Sequence, residues 1–354
     1  MKKIILIICM FFITGCYDYI EINNLSFISA LGIDYEDEKY KLTVEAISNS
    51  SDDKESLTGK GFTVDATGKT LAKAFNNISL DISKIPYYNH LKVVVVSKEV
   101  AQNHMQEIFE YLTRNPKIRK EFFLVISEDY SPKEILNSRS DNVPIVGQEI
   151  VKIIENNPKE FNASYNLTYQ DMLADILNPY VDAKATVITK KDENISIKGI
   201  GIFKDYKYLK VLSTKNSAYL NLLINQKSNV TLAKNYKDKN VTIKLGSTKV
   251  RYSFKNNKVI INVSADGEII ENMPNFDLLS QKTYTKLNKD FSKILKKELY
   301  KFFDSIKKYN TDILGIQDKY YKKTKQAKIN INDIEIKTSI KVNKKGLIYE
   351  AKHE

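Results

Sequence analysis

Two cysteines and three histidines in 354 residues leave almost no soft metal ligands. That count excludes Cys-rich zinc modules, iron–sulfur sites and a disulfide-stapled framework. Glycine, at 12, and proline, at 7, are too sparse for a linker-rich or low-complexity chain. After residue 16 no apolar run approaches the roughly 20 residues of a membrane-spanning helix. The candidates are short stretches such as the four residues Val93 to Val96. What is present is a 42% hydrophobic, 10% aromatic chain of 40.7 kDa, enough to bury real cores and too long for one of them. At least two folded domains are expected.

The first sixteen residues point to export. Met1, Lys2 and Lys3 form a short basic region, and the apolar run from Ile4 to Ile13 is half the length of a span. It reads as the hydrophobic region of a secretory signal. Thr14 and Gly15 before Cys16 make the segment resemble a bacterial lipoprotein signal with an Ile-Thr-Gly-Cys lipobox, in which Cys16 becomes the lipidated first residue of the mature chain. Cys9 lies inside the signal, so a mature chain beginning at Cys16 holds one cysteine with its sulfur occupied. No disulfide and no cysteine nucleophile are then available. The expectation is a protein anchored to a membrane by a diacylglyceryl group.

Along the chain, Leu25–Tyr35 and Tyr40–Ile47 read as a hairpin across the charged turn Glu36-Asp37-Glu38-Lys39, with Leu42, Val44 and Ala46 on one face. A strand near Phe62–Ala66 precedes Leu71, Ala74, Phe75 and Ile78 at helical spacing, and Leu91–Ser97 reads as a buried strand. Helical spacing of Ala101, Met105, Ile108, Phe109 and Leu112 predicts a helix over 98–114, stopped by Asn115-Pro116. Residues 130–180 read as mostly helical, with Ser131-Pro132 as a cap and first-turn pair. Strand patterning returns at Val181–Thr189, Ile195–Phe203 and Tyr208–Leu212. It continues at Val230–Ala233, Val241–Leu245, Val250–Phe254 and Val259–Ser264. A long helix then carries Leu287, Phe291, Ile294, Leu295, Leu299, Phe302 and Ile306, before a last strand over Ile331–Val342.

These patterns predict a multidomain α+β, or mixed α/β, protein with mixed sheets and packed amphipathic helices. The expected division is a signal at 1–15, an N-terminal α/β region at 16–190 with a candidate split near 130–145, and a C-terminal α+β domain at 191–354 with a long basic helix. Charge is placed unevenly. Residues 282–354 hold 19 Lys+Arg against 9 Asp+Glu, so nearly all of the formal +12 lies there. A basic face of this kind suits anionic lipid head groups or an acidic partner, and equally a solvated helix.

Familiar catalytic patterns fail. Gly68-Lys69-Thr70 lacks the glycine a phosphate loop needs at position 63, which is Thr63. Gly199-Ile200-Gly201 is followed by Lys204 where a dinucleotide fingerprint needs glycine, so both read as strand glycines. His90, His104 and His353 fit no ligand spacing, and His90 reads as a core or edge residue. Asp34, Glu36, Asp37 and Glu38 read as a solvated turn rather than an acid/base pair. Nothing points to an enzyme or a cofactor, and a nucleic-acid partner conflicts with export.

The segment Gly15-Cys16-Tyr17-Asp18-Tyr19-Ile20-Glu21-Ile22-Asn23-Asn24-Leu25, followed by Ala30-Leu31-Gly32-Ile33-Asp34, resembles the Ger(x)C family, the lipoprotein C subunits of bacterial spore germinant receptors. Further matches follow in order: Gly68-Lys69-Thr70 with the helix to Ser79, His90 to Val96, Arg114 to Arg119, Gly199 to Lys204, and Asp312-Ile313-Leu314-Gly315. Tyr17 stands where the family usually has Trp. The resemblance implies a non-catalytic structural or signalling subunit beside two membrane-embedded partners, the receptor A and B subunits. It would lie on the outer face of the spore inner membrane or cell membrane, with acyl chains such as palmitate on Cys16. It makes Thr70 a helix cap, and it draws attention to Asp312, Leu314 and Gly315 as a structural or partner-contact segment, with Gly315 expected to take a positive φ after the long helix. The rival expectation is an extracytoplasmic solute-binding lipoprotein using a tyrosine-lined cleft.

Overall fold

A computed structural model describes residues 20–48, 59–139, 143–160, 162–224, 229–274, 276–326 and 328–344. The signal segment and Cys16 lie outside the described residues. Two sheets organise the chain. The first has nine strands in the order β3-β2-β1-β5-β6-β7-β8-β9, with β4 beside β1. Its members are β1 (Leu25–Glu36), β2 (Lys39–Ser48), β3 (Lys60–Gly68), β4 (Ile85–Tyr87), β5 (Val93–Ser97), β6 (Phe123–Ser127), β7 (Lys184–Lys191), β8 (Asn194–Lys204) and β9 (Lys207–Val211). The centre, β1-β5-β6-β7, is parallel and both flanks are antiparallel.

A parallel centre covered on both faces needs strands that are apolar on both sides, which is why Val93 to Val96 are all fully buried. On one face Ile28, Leu31, Ile33, Leu42, Val94, Val96 and Ile126 pack with α1 (Leu71–Asp81), α2 (Lys98–Asn103), α3 (Met105–Arg114) and α6 (Tyr169–Leu177). On the other, Ala30, Val93, Val95 and Val125 pack with α4 (Pro132–Leu136) and α5 (Val146–Glu160). The single helix expected over 98–114 is two helices. His104 leaves helical geometry (φ −128°, ψ 11°) and its ring lies against Tyr35 at 3.8 Å. Apolar spacing alone carries no trace of that break.

The hairpin turns explain the small glycine count. Two-residue turns that match strand twist require positive φ, usually supplied by glycine. Here Asp37 and Glu38, Lys237 and Asp238, and Asn256 and Asn257 take φ between 49° and 65° instead, and Asn and Asp tolerate this region best among non-glycine residues.

The second sheet runs β10 (Thr231–Tyr236), β11 (Lys239–Lys255), β12 (Lys258–Asn272), β13 (Ile334–Lys344). The two strands expected at 241–245 and 250–254 are one 17-residue strand with a register shift between Leu245 and Thr248. The last strand begins at Ile334 rather than Ile331. The long helix α8 (Gln281–Lys307) buries Leu287, Phe291, Leu295, Leu299, Phe302 and Ile306 against the sheet, and β13 then returns parallel to β12. This edge strand is covered. Asn288, Ser292 and Tyr300 of α8 accept the N–H groups of Val342, Ile340 and Ile336 at 2.8, 2.8 and 3.1 Å, which removes a template for strand addition.

The two sheets share a core. Ile200 and Ile202 of β8, Leu212 and the helix α7 (Thr214–Leu223) belong to the same cluster as α8 and β10–β13. Position 190 lies within β7, and the first sheet continues across it to Val211. The mixed α+β, multidomain architecture is as the sequence indicated. The hairpins β7-β8-β9 extend the first sheet because β7 pairs in parallel with β6, Val125 opposite Thr186, a pairing that local strand patterning does not reveal.

A candidate interdomain junction at Asp182 and Asp312

Three of the residues singled out in the sequence come together where the loop before β7 meets the segment after α8. That segment, 308–315, leads into α9 (Ile316–Thr324). A helix begins with backbone N–H groups that have no partner inside it. Gly315, at the cap position of α9, has no side chain to offer. Asp312 supplies the acceptors instead, its two carboxylate oxygens receiving Ile316 N–H at 2.9 Å and Gln317 N–H at 2.7 Å.

Asp312 also ties the two parts of the chain. Its own N–H donates to Asp182 Oδ2 at 2.6 Å, and its carbonyl accepts Asp182 N–H at 3.1 Å. Lys204 on β8 holds Asp182 from the other side, Nζ lying 3.2 Å from both carboxylate oxygens. Both aspartates are only 7% exposed. Burial pushes the Asp312 carboxyl up from the ordinary range, more than its two backbone donors pull it down, and the neighbouring Asp182 charge adds to the rise. Around this centre, Tyr180 stacks on Tyr321 at 4.9 Å and Asn178 reaches Asp318 at 3.4 Å. Lys319 bonds the Leu314 carbonyl and sits 5.0 Å over the Tyr252 ring, and burial lowers its pKa.

Gly315 does take a positive φ, 61°, and Leu314 is buried in the shared core. The expected role differs, however. The long helix ends at Lys307, so Gly315 starts the next helix rather than terminating that one. The Cβ of any other residue there would approach Val181 to 3.3 Å. A chain reversal between two helices and a single helix end look alike in sequence, which is why the segment read as a C-terminal cap. Asp182 carried no sequence signal, and Lys204 was named only as the last residue of the Gly199–Lys204 match, with no partner assigned to it.

A second buried carboxylate was also missed. Glu45 on β2 is fully buried. Its oxygens accept Val146 N–H at 2.7 Å, Gly147 N–H at 2.8 Å and the Ser29 hydroxyl at 2.6 Å, capping α5, with Arg139 Nε 3.7 Å away. It falls on the face of β2 opposite Leu42, Val44 and Ala46, where alternation gives a carboxylate no signal of burial.

The failed motifs have structural uses. Gly68 ends β3, where a Cβ would fall 2.4 Å from Ala74 N, and the Thr70 hydroxyl caps α1 by accepting Lys73 N–H at 3.2 Å. Gly199 and Gly201 are strand residues, and at Gly199 (φ 151°) a Cβ would lie 1.9 Å from the Leu212 carbonyl oxygen. His90 is exposed, with its ring edge-on to Phe27 at 5.1 Å. Among the described residues no three His, Cys, Asp or Glu side chains are grouped to hold a metal ion, and no helix is long and apolar enough to cross a membrane. The arrangement at Asp312 spends its charges on backbone groups and on Lys204. It is built to hold two parts of a protein in register.

A two-part α+β protein of this kind, with a buried polar junction between its parts, is the class that the fold defines. Residues 18–190 match the family model of the spore germination protein N-terminal domain, and residues 198–347 match the spore germination B3/GerAC-like C-terminal model. The chain belongs to the Ger(x)C family of spore germination proteins. Similar curated proteins include Bacillus subtilis spore germination protein B3 (24% identity, covering 86% of this chain and 84% of that one) and spore germination protein KC (22%; 90% and 86%). Bacillus cereus spore germination protein GerQC is 23% identical over 90% of this chain and 89% of its own length. The crystal structure of the GerBC protein has the same fold, with a TM-score of 0.53 and 17% identity over 88% of this chain and 96% of that one.

Proposed function

We propose that this protein is the non-catalytic, lipid-anchored C subunit of a spore germinant receptor, held by Cys16 on the outer face of the spore inner membrane and associated with integral-membrane A and B subunits. The observation that carries the reading is the end-to-end match to the two germination family models, 18–190 and 198–347, in one chain. The lipobox before Cys16 supports the anchor, and the buried junction at Asp182 and Asp312 supports a rigid adaptor rather than a hinged binder. The rival reading, a solute-binding lipoprotein, looks to a tyrosine-lined cleft. Tyr40, Tyr88, Tyr165, Tyr169, Tyr208, Tyr219 and Tyr320 are instead buried within cores.

Spores lacking the protein are expected to lose germination with one set of nutrients while responding normally to agents that bypass receptors. The A and B subunits should fall in abundance with it, because subunits that bind only the folded complex stabilise one another by mass action. Cys16→Ala should reproduce the defect and release the protein from membranes in high salt. Deletion spores, free of a second receptor copy, that respond to every nutrient their parent recognises would overturn the reading.

A further inference from the structure

The end of the first sheet where the described residues begin exposes aliphatic side chains that none of the described residues covers. Ile20 is 45% exposed, Ile22 66%, Leu80 80% and Ile85 49%. The fold brings the segments that carry them to one end of the sheet. Leu25, the first residue of β1, pairs in register with Ile85 of β4, and Leu80 lies in the last turn of α1. Asn24 and Ser79 join 82–86 around an open concavity of about 490 Å³. Exposed Glu21, Asp81 and Lys84 surround the group.

Chain length says what lies against this patch. Four Cα–Cα steps, across Tyr17, Asp18 and Tyr19, separate Cys16 from Ile20, a reach of at most about 14 Å when fully extended. The polar zone on each side of a bilayer is roughly 5–8 Å thick. A lipidated Cys16 therefore keeps Ile20 within about 14 Å and Ile22 within about 21 Å of the anchor, close enough for both to reach that zone, and the register of β1 with β4 brings Ile85 and Leu80 to the same end of the sheet. An apolar group ringed by charges suits the boundary between head groups and acyl chains, not the hydrocarbon interior.

We infer that Ile20, Ile22, Leu80 and Ile85 form a lipid-contacting foot, seated in the bilayer interface beside the anchor, with the turn at Asp37 and Glu38 pointing away. The inference rests on the lipidation of Cys16 proposed above. It sets orientation: strand β1 stands away from the membrane, placing the β1–β2 turn about 35–40 Å above it.

The test uses the full-length lipoprotein purified into phosphatidylcholine–phosphatidylglycerol vesicles with no other protein. Single cysteines at Ile22→Cys, Leu80→Cys and, as the distant control, Lys39→Cys carry a fluorophore, and the vesicles contain lipids brominated high on the acyl chain. Labels at 22 and 80 are expected to be quenched at least several-fold more than the label at 39. Leu80→Glu with Ile85→Glu, both at exposed positions, should reduce quenching at 22. Mass spectrometry of the same samples reports the state of Cys16. Diacylated Cys16 without quenching at 22 and 80, or with equal quenching at 39, overturns the foot while leaving the anchor intact, and would assign the patch to a protein partner. Quenching with Cys16 unmodified supports the foot and removes the anchor, and absence of both removes both.

Discussion

Replacing Asp312 probes the junction most directly. Asp312→Ala removes both acceptors from the first turn of α9 and leaves the Ile316 and Gln317 N–H groups without them. Ile316 is buried, so solvent does not readily replace what is lost. Loss of a side-chain helix cap typically costs about 0.5–2 kcal/mol, and hydrogen bonds to a charged group sit toward the upper end of such values. Relief of the buried charge offsets part of this, so the expected net loss is about 1–2 kcal/mol. For a unit of this size that lowers Tm by roughly 2–8 °C. Asp312→Asn keeps one acceptor and imitates the protonated acid, and should cost less.

The pH dependence separates capping from burial. The folded-state pKa of Asp312 is raised, so the native protein keeps this proton to higher pH than the unfolded chain does. Stability from this group is therefore fully present below the unfolded carboxylate value and is lost as pH rises through the folded one. Asp312→Asn lacks that loss. Measured by urea unfolding from about pH 4 to about pH 8, the stability of Asp312→Asn relative to the parent should rise with pH. A constant difference across that range would refute the buried-charge argument, and an Asp312→Ala midpoint equal to that of the parent would refute the capping role.

Glu45→Ala should be more damaging, about 3–5 kcal/mol, because it strands the Val146 and Gly147 N–H groups and leaves Arg139, whose Nε and Nη2 have no hydrogen-bond partner among the described residues, without its counter-charge; denaturant unfolding with the Glu45→Gln variant as an intermediate case measures it. Gly199→Ala should cost roughly 3 kcal/mol or more, or abolish soluble expression, since its Cβ would sit 1.9 Å from the Leu212 oxygen; an unchanged unfolding midpoint would show that β8 and Leu212 can part without penalty.

Periodicity and turn chemistry carry most of the element list because both are local. The all-apolar run Val93–Val96 announced a strand buried on two faces, and Leu287 to Ile306 announced one apolar stripe on a long helix. The cap at Ser131 was legible for the same reason, a hydroxyl three residues from the N–H it accepts, and the family resemblance pointed to the one at Thr70. The order of quoted motifs from Cys16 to Gly315 placed the chain in its family. Only tertiary structure decided the rest. The pairing of β7 with β6 carries the first sheet past residue 190, and Asp182 meets Asp312 across 130 positions of sequence. Glu45 reaches the start of α5 across 101 positions, a burial that strand alternation does not signal. Polar residues that cap an element distant in sequence look like surface residues until the fold closes over them, because a hydrogen bond leaves a periodic signal only when both partners lie within a turn of each other.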